Sequence, residues 1–275
     1  MTKIVNARTF VILLAVISLA LAGCATVPTT DSEPRGTSVA SFSSPPAANG
    51  LPSGWQHWIM SRLLKKTEYK VINENGTHVL EARSESAASG LLQEVSIDPN
   101  VQRHISWRWK APQLIPTADN SRRNADDSPV RIVIAFDGDK KKFDFEDRAM
   151  ADMVKLFSGR EMPYATIMYI WENKLPVGTV VENAHSGRAK MIVAESGAKR
   201  VGQWLTMTRD VLDDYRQAYG EEPGRIISVG VMTDTNTTGS KVTAYYGDIM
   251  FSEALASSSK TSGGGSVAIT ESAVR

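Results

Sequence analysis

The sequence predicts an all-β protein, an antiparallel two-sheet sandwich with one or two short helices. Three observations point there. Apolar and polar residues alternate at period two in about ten segments between residues 69 and 251. Asn, Asp, Gly and Ser cluster between those segments, as turns require. Helical periodicity occurs in only two stretches, too few for the crossovers of a parallel sheet.

Taken in order, Tyr69 to Ile72 and His78 to Ala82 flank Asn73-Glu74-Asn75-Gly76 and read as a hairpin. Gly90 to Ile97 follows. In His104 to Lys110, Ile105, Trp107 and Trp109 share one face, and His104, Ser106, Arg108 and Lys110 share the other. Val130 to Phe136 is a largely apolar strand that runs into Asp137-Gly138-Asp139. Ala165 to Trp171, Ala189 to Ala194, Trp204 to Thr208, Ile226 to Met232 and Val242 to Phe251 complete the strands. Phe145 to Phe157 predicts a helix with Ala149, Met153, Leu156 and Phe157 on one side, ended by Ser158-Gly159. Arg209 to Tyr219 predicts a second helix, stopped by Gly220.

The chain ends read differently. Lys3 and Arg8 precede Phe10 to Ala22, where Ser18 is the only polar residue. A helix of that length reaches about 20 Å, short of the roughly 30 Å hydrocarbon core of a bilayer. A signal peptide over residues 1–23 is therefore expected, not a spanning helix. Leu21-Ala22-Gly23-Cys24 resembles the bacterial lipobox, in which the cysteine is lipidated and begins the mature protein. Ala25 then stands where an Asp would resemble inner-membrane retention. The expectation is an outer-membrane lipoprotein facing the periplasm, held in the lipid bilayer by acylated Cys24. Residues 24–53 are rich in Pro, Ser, Thr and Ala, with Phe42 as the only aromatic, and predict a disordered tether. Residues 252–275 predict a disordered tail. One domain remains, residues 54–251, long enough for a single substantial core.

Composition narrows the function. Lys plus Arg is 31 against 30 for Asp plus Glu; without Lys3 and Arg8 the count is 29 against 30. No basic excess remains to displace counterions, which argues against a nucleic-acid partner. Cys24 is the only cysteine, so there is no internal disulfide and no Cys-rich metal cluster.

Several motifs together resemble the DUF3047 family of bacterial exported proteins over about residues 54 to 251. They are Trp107-Arg108-Trp109-Lys110, Val130-Arg131-Ile132 through Asp137-Gly138-Asp139, Asp213-Asp214-Tyr215-Arg216, Met232-Thr233-Asp234-Thr235-Asn236 and Tyr246-Gly247-Asp248-Ile249. That resemblance implies export and no established activity. More distantly, the order of Trp204, Ile226 to Met232 and Tyr246 to Phe251 resembles the galactose-binding-like jelly roll of carbohydrate-binding modules. It implies a jelly-roll-like sandwich, and a structural Ca²⁺ near Asp248.

Candidate site residues follow. Trp107 and Trp109 could stack on sugar rings or pack in the core beside Ile105, whose stripe they continue. Arg108, on the opposite face, is the better ligand contact if that face is open, because its fork grips carboxylates or paired hydroxyls. Tyr169 and Trp171 share a further strand face. Asp137, Asp139, Asp234 and Asp248 lie in oxygen-rich stretches that could hold Ca²⁺ or simply satisfy turn amides. Asp127 and Asp137 bracket one strand about 20 Å long, too far apart for a glycosidase pair within it. No serine lies in a GxSxG context, and His57, His78, His104 and His185 lack metal spacing. The expectation is a non-catalytic module for an envelope glycan. A structural or assembly protein binding an envelope partner, and a glycoside hydrolase-like enzyme, are the alternatives.

Overall fold

The computed structural model describes residues 37–183 and 186–253. The expected signal segment, Cys24, His185 and all but the first two residues of the expected tail lie outside the described residues. The elements are β1 (Thr37–Ser38), β2 (Gln56–Trp58), β3 (Glu68–Glu74), β4 (Thr77–Glu85), β5 (Ala88–Ile97), β6 (His104–Lys110), β7 (Ser128–Phe136), α1 (Phe145–Ser158), β8 (Ala165–Glu172), β9 (Val180–Glu182), β10 (Ala189–Ser196), β11 (Leu205–Asp210), α2 (Val211–Tyr219), β12 (Ile226–Asp234) and β13 (Lys241–Ser252). All ten strands and both helices read from the sequence are present, with ends moved by a few residues.

The strands form two facing sheets. One runs β11-β6-β13-β4-β3, and the other β2-β5-β12-β7-β8-β10-β9. Pairing is antiparallel except between β8 and β10, which are parallel. That pair is the one departure from the antiparallel pattern expected of the sandwich among the described strands. The sixteen residues between those strands (173–188) are enough for the chain to return to its starting end. The β3–β4 hairpin turns on Asn75 (φ 52°) and Gly76 (φ 87°). Two successive positive φ angles are the demand of a type I′ turn, which Asn-Gly meets.

The two inner faces share one core. Leu80, Ala82, Ile105, Trp107, Trp109, Ala244, Tyr246 and Phe251 meet Leu91, Ile132, Ile134, Phe136, Ile167, Tyr169, Trp171, Ile192 and Val231. The outer face of the second sheet is also covered. Val133, Met168, Ile170, Met191, Val193 and Met232 lie beneath Trp58, Met60, Leu64 and Leu175. Burial on both sides explains why β7 reads as a nearly unbroken apolar run and not as an alternation. The outer face of the first sheet remains open.

The expected tether is partly folded. β1 pairs with the end of β13 through Thr37 with Phe251 and Ser38 with Met250. Val39, Phe42 and Leu51 are buried. Phe42 lies 4.7 Å from the Trp55 ring. The Trp55 indole donates to the Ala40 carbonyl at 2.8 Å. The folded part therefore takes in residues 37–53 ahead of Gly54. Phe42 is too large an apolar group to leave in water when the domain offers a site for it.

Helix α1 is capped by Asp144, which accepts from the Asp147 amide at 2.8 Å, and by Gly159 at φ 76°. The side shared by Ala149, Met153, Leu156 and Phe157 turns outward. Met150, Ala151 and Val154 pack on the core, while Met153 and Leu156 face solvent at 52% and 74% exposure. The Arg188–Asp147 ion pair at 2.7 Å and the Phe143–Tyr164 stack just ahead of the helix fix this rotation. Helix α2 starts at the Asp210 cap and ends at Gly220, φ 68°.

Candidate ligand-binding face

Trp107, Trp109, Tyr169 and Trp171 come together, as a group inside the sandwich. Trp107 stacks on Tyr169 with centroids 4.9 Å apart, and meets Trp109 edge-on at 5.3 Å. Trp109 lies 6.3 Å from Trp171. None of the four is more than 1% exposed. The stacking expectation for these side chains is corrected on that ground, since a sugar cannot reach them without opening the core. Ile105, on the same stripe, carried the sequence signal for an inward face.

The four aspartates do not assemble either. Asp137 and Asp139 follow β7 at one end and accept amides from Gly138 and Lys141 at 2.9 and 3.0 Å. That is turn and cap chemistry. Asp234 lies beside Ser128, at the opposite end of β7. Asp248 accepts from Ser41 Oγ, the Ser43 amide and Ser43 Oγ at 2.7–2.9 Å. Both its oxygens are met by donors, an environment that does not fit a cation. Among the described residues, no group of three or more His, Cys, Asp or Glu could hold a metal ion. Asp127 accepts the Thr238 amide at 2.7 Å and serves as a loop cap.

Asp234 instead joins a buried charge network. Arg131, 2% exposed, donates from Nε to Asp234 Oδ1 at 2.8 Å, and from Nη2 to Asp234 Oδ2 at 3.0 Å and to Asp126 Oδ1 at 2.9 Å. Burial pushes the Asp234 carboxyl up to about 6, against the pull of Arg131. The Arg131 guanidinium, although buried, is driven upward by the two carboxylates. The fork geometry is that of a charged pair.

The face open to solvent is the outer side of the first sheet. A row crosses it through cross-strand partners: Lys70 opposite Glu81, Glu81 opposite Tyr245, Tyr245 opposite Lys110. Trp204, just before β11, completes the row. Trp204 and Tyr245 are each partly exposed, 6.5 Å apart. The Trp204 indole donates to Glu74 Oε2 at 2.7 Å. Lys110 pairs with Glu74 and lies 4.4 Å from the Tyr245 ring centre. Burial tends to raise the Glu74 carboxyl, but hydrogen bonds from Lys110 and Trp204 outweigh it and hold the group low. Arg108 is exposed, lies 4.8 Å over the Trp204 ring and makes no ion pair among the described residues. Gly247 leaves room for it, since a Cβ there would come 3.0 Å from Arg108 Cβ. Beyond Tyr245 the face carries a depression of about 180 Å³ lined by Glu68, Tyr69, Lys70, Glu81 and Arg83. Glu81 is held there by Arg83 Nε at 2.8 Å.

Trp204 and Tyr245 were missed as site residues. The signal was available for Tyr245: with Tyr246 pointing inward, period two sends its neighbour outward. Trp204 opens the segment Trp204 to Thr208, where period two puts it on the polar side of Thr206 and Thr208, which in the fold lie opposite Arg108 and Ser106.

The fold defines a β-sandwich protein whose one open sheet face carries partly exposed aromatics among charges. The match to a family model, "Protein of unknown function (DUF3047)", covers residues 53–250. The chain belongs to that family. A sequence comparison with curated proteins finds no match. Among solved structures, the Emp47p carbohydrate recognition domain is 10% identical with a TM-score of 0.38, over 79% of this chain and 95% of that one. A carbohydrate-binding module specific for non-crystalline cellulose is 12% identical with a TM-score of 0.32, over 80% and 94%. The glycoside hydrolase domain of Endo-D from Streptococcus pneumoniae is 7% identical with a TM-score of 0.32; the match covers 72% of this chain and only 21% of that one. At these identities and scores the likeness carries no argument about the site.

Proposed function

We propose that this protein is a non-catalytic binding module of the bacterial envelope, and that the open face around Trp204 and Tyr245 takes an acidic glycan. In the same reading, acylated Cys24 holds it in the outer membrane, facing the periplasm. The observation that carries the ligand reading is one pair of partly exposed aromatics beside an arginine with no ion-pair partner among the described residues. Aromatic faces suit the C–H faces of sugars, and the Arg108 fork suits a sugar carboxylate. Glu74 holds the Trp204 indole in place before a ligand arrives, which lowers the ordering cost of binding.

Calorimetric titration with polygalacturonate, with neutral dextran as the control, tests the ligand. Trp204→Ala and Arg108→Ala should each weaken binding of the acidic polymer at least about tenfold, with the melting temperature kept. Equal affinity in both variants, or no binding by the unsubstituted protein, refutes the assignment. The anchor is tested separately by mass spectrometry of the N-terminal peptide from the membrane fraction, where an unmodified Cys24 would overturn it.

A further inference from the structure

We infer that α1 is a membrane-contacting helix whose apolar arc lies in the lipid–water interface. Phe145 is 84% exposed, Met153 52%, Leu156 74% and Phe157 39%. At 100° per residue, positions 145, 149, 153, 156 and 157 fall within an arc of about 120°, which Glu146 enters near one edge and Asp152 borders at the other, each able to turn its carboxylate toward water. The helix cannot roll this arc inward, because Met150, Ala151 and Val154 already face the core and Asp147 pairs with Arg188. A Cβ at Gly159 would lie 3.8 Å from Arg62, which places the segment carrying Leu63, itself 84% exposed, beside the C-terminal end of the helix. Exposed large apolar groups gathered in one place mark an interaction surface.

The occupant follows from where the chain enters. β1 pairs with the last residues of β13, beside the start of β6. Helix α2 leads from that end to Ile226, whose partner is Phe136, the residue from which β7 departs toward α1. Entry point and α1 thus belong to one end of the sandwich. Twelve residues (25–36) separate Cys24 from Thr37, a reach of at most about 45 Å when fully extended. With Cys24 acylated as proposed above, on which this geometry rests, that end stays within reach of the bilayer. Residues 139–161 carry six cations and six carboxylates. Their charges cancel, so burial of the apolar arc, not attraction to anionic lipid, drives the contact.

The chain from residue 37 onward carries both described sheets and their core and lacks Cys24. Flotation of this chain with phosphatidylcholine vesicles is the test. It should float to about the same bound fraction at 0.1 and 0.5 M salt. Phe145→Asp with Leu156→Asp should lower partitioning at least about tenfold while keeping the melting temperature. No flotation, flotation abolished by salt, or equal flotation of the double variant overturns the inference. So does a dimer in ultracentrifugation that the double variant dissolves, which would give the face to a second copy. Because this chain has no Cys24, its result is independent of the acylation result.

Discussion

Replacing Arg131 with Met should leave the Asp234 carboxylate without its guanidinium beneath the covered outer face of the second sheet, while Asp126 keeps the Asn120 and Asn183 side chains. Arg131 supplies both Asp234 oxygens and one Asp126 oxygen at 2.8–3.0 Å. Without it, Asp234 keeps the Ser128 amide at 3.1 Å. Removing one partner of a buried charge network costs about 3–5 kcal/mol, a large share of the roughly 5–15 kcal/mol that holds a domain together. The midpoint of thermal unfolding should fall by about 6–20 °C. The effect should also depend on pH with a definite sign. Burial raises Asp234 to about 6 in the native protein. The native state then keeps a proton that the unfolded chain releases near pH 4, so this group favours folding fully below about pH 4 and loses that contribution as pH rises through about 6. In Arg131→Met the downward pull is gone and the carboxyl moves higher still. The deficit relative to the unsubstituted protein should be large at pH 7.5 and shrink toward pH 5. Urea denaturation at both values measures it. A loss below about 1 kcal/mol at pH 7.5, or a deficit that grows on acidification, refutes the reasoning.

Three further outcomes are expected. Trp107→Ala should cost about 3–5 kcal/mol, whereas Trp204→Ala should cost about 1 kcal/mol or less; urea midpoints of the pair sort core from open face, and equal losses would put Trp204 in the interior. Phe42→Ala should destabilise by about 3 kcal/mol, and an unchanged denaturation curve would return residues 39–51 to the status of a loose tether. Glu74 is held low, so its grip on Trp204 should be full above about pH 4.3 and be lost as pH falls through its lower native value. The difference in fluorescence between the unsubstituted protein and Trp204→Phe reads this; a transition near neutral pH would contradict it.

Alternation made most of the sandwich legible. The period-two stripe of β6 and the Asn75-Gly76 turn specify local geometry without help from distant residues. β1, β2 and β9 were not legible, because two or three residues carry no periodicity. Nor was the parallel β8–β10 pair, which depends on how a loop returns. For the aromatic stripe, period two says that Trp107 and Trp109 share a side but not which side faces in. The extra apolar Ile105 decides it. In α1 the shared side of Ala149, Met153, Leu156 and Phe157 was legible but not whether it faces in, because capping and the Asp147–Arg188 pair set the rotation.

The seam between β1 and β13 bears on how the fold would respond to a pull. A tug arriving along the residues before Thr37 meets a two-residue ribbon first, then the Phe42 plug, and only afterwards the broad sheets. The seam would peel one pairing at a time while the face carrying Trp204 kept its shape. The short ribbon would therefore act as slack, giving way before the interior was strained.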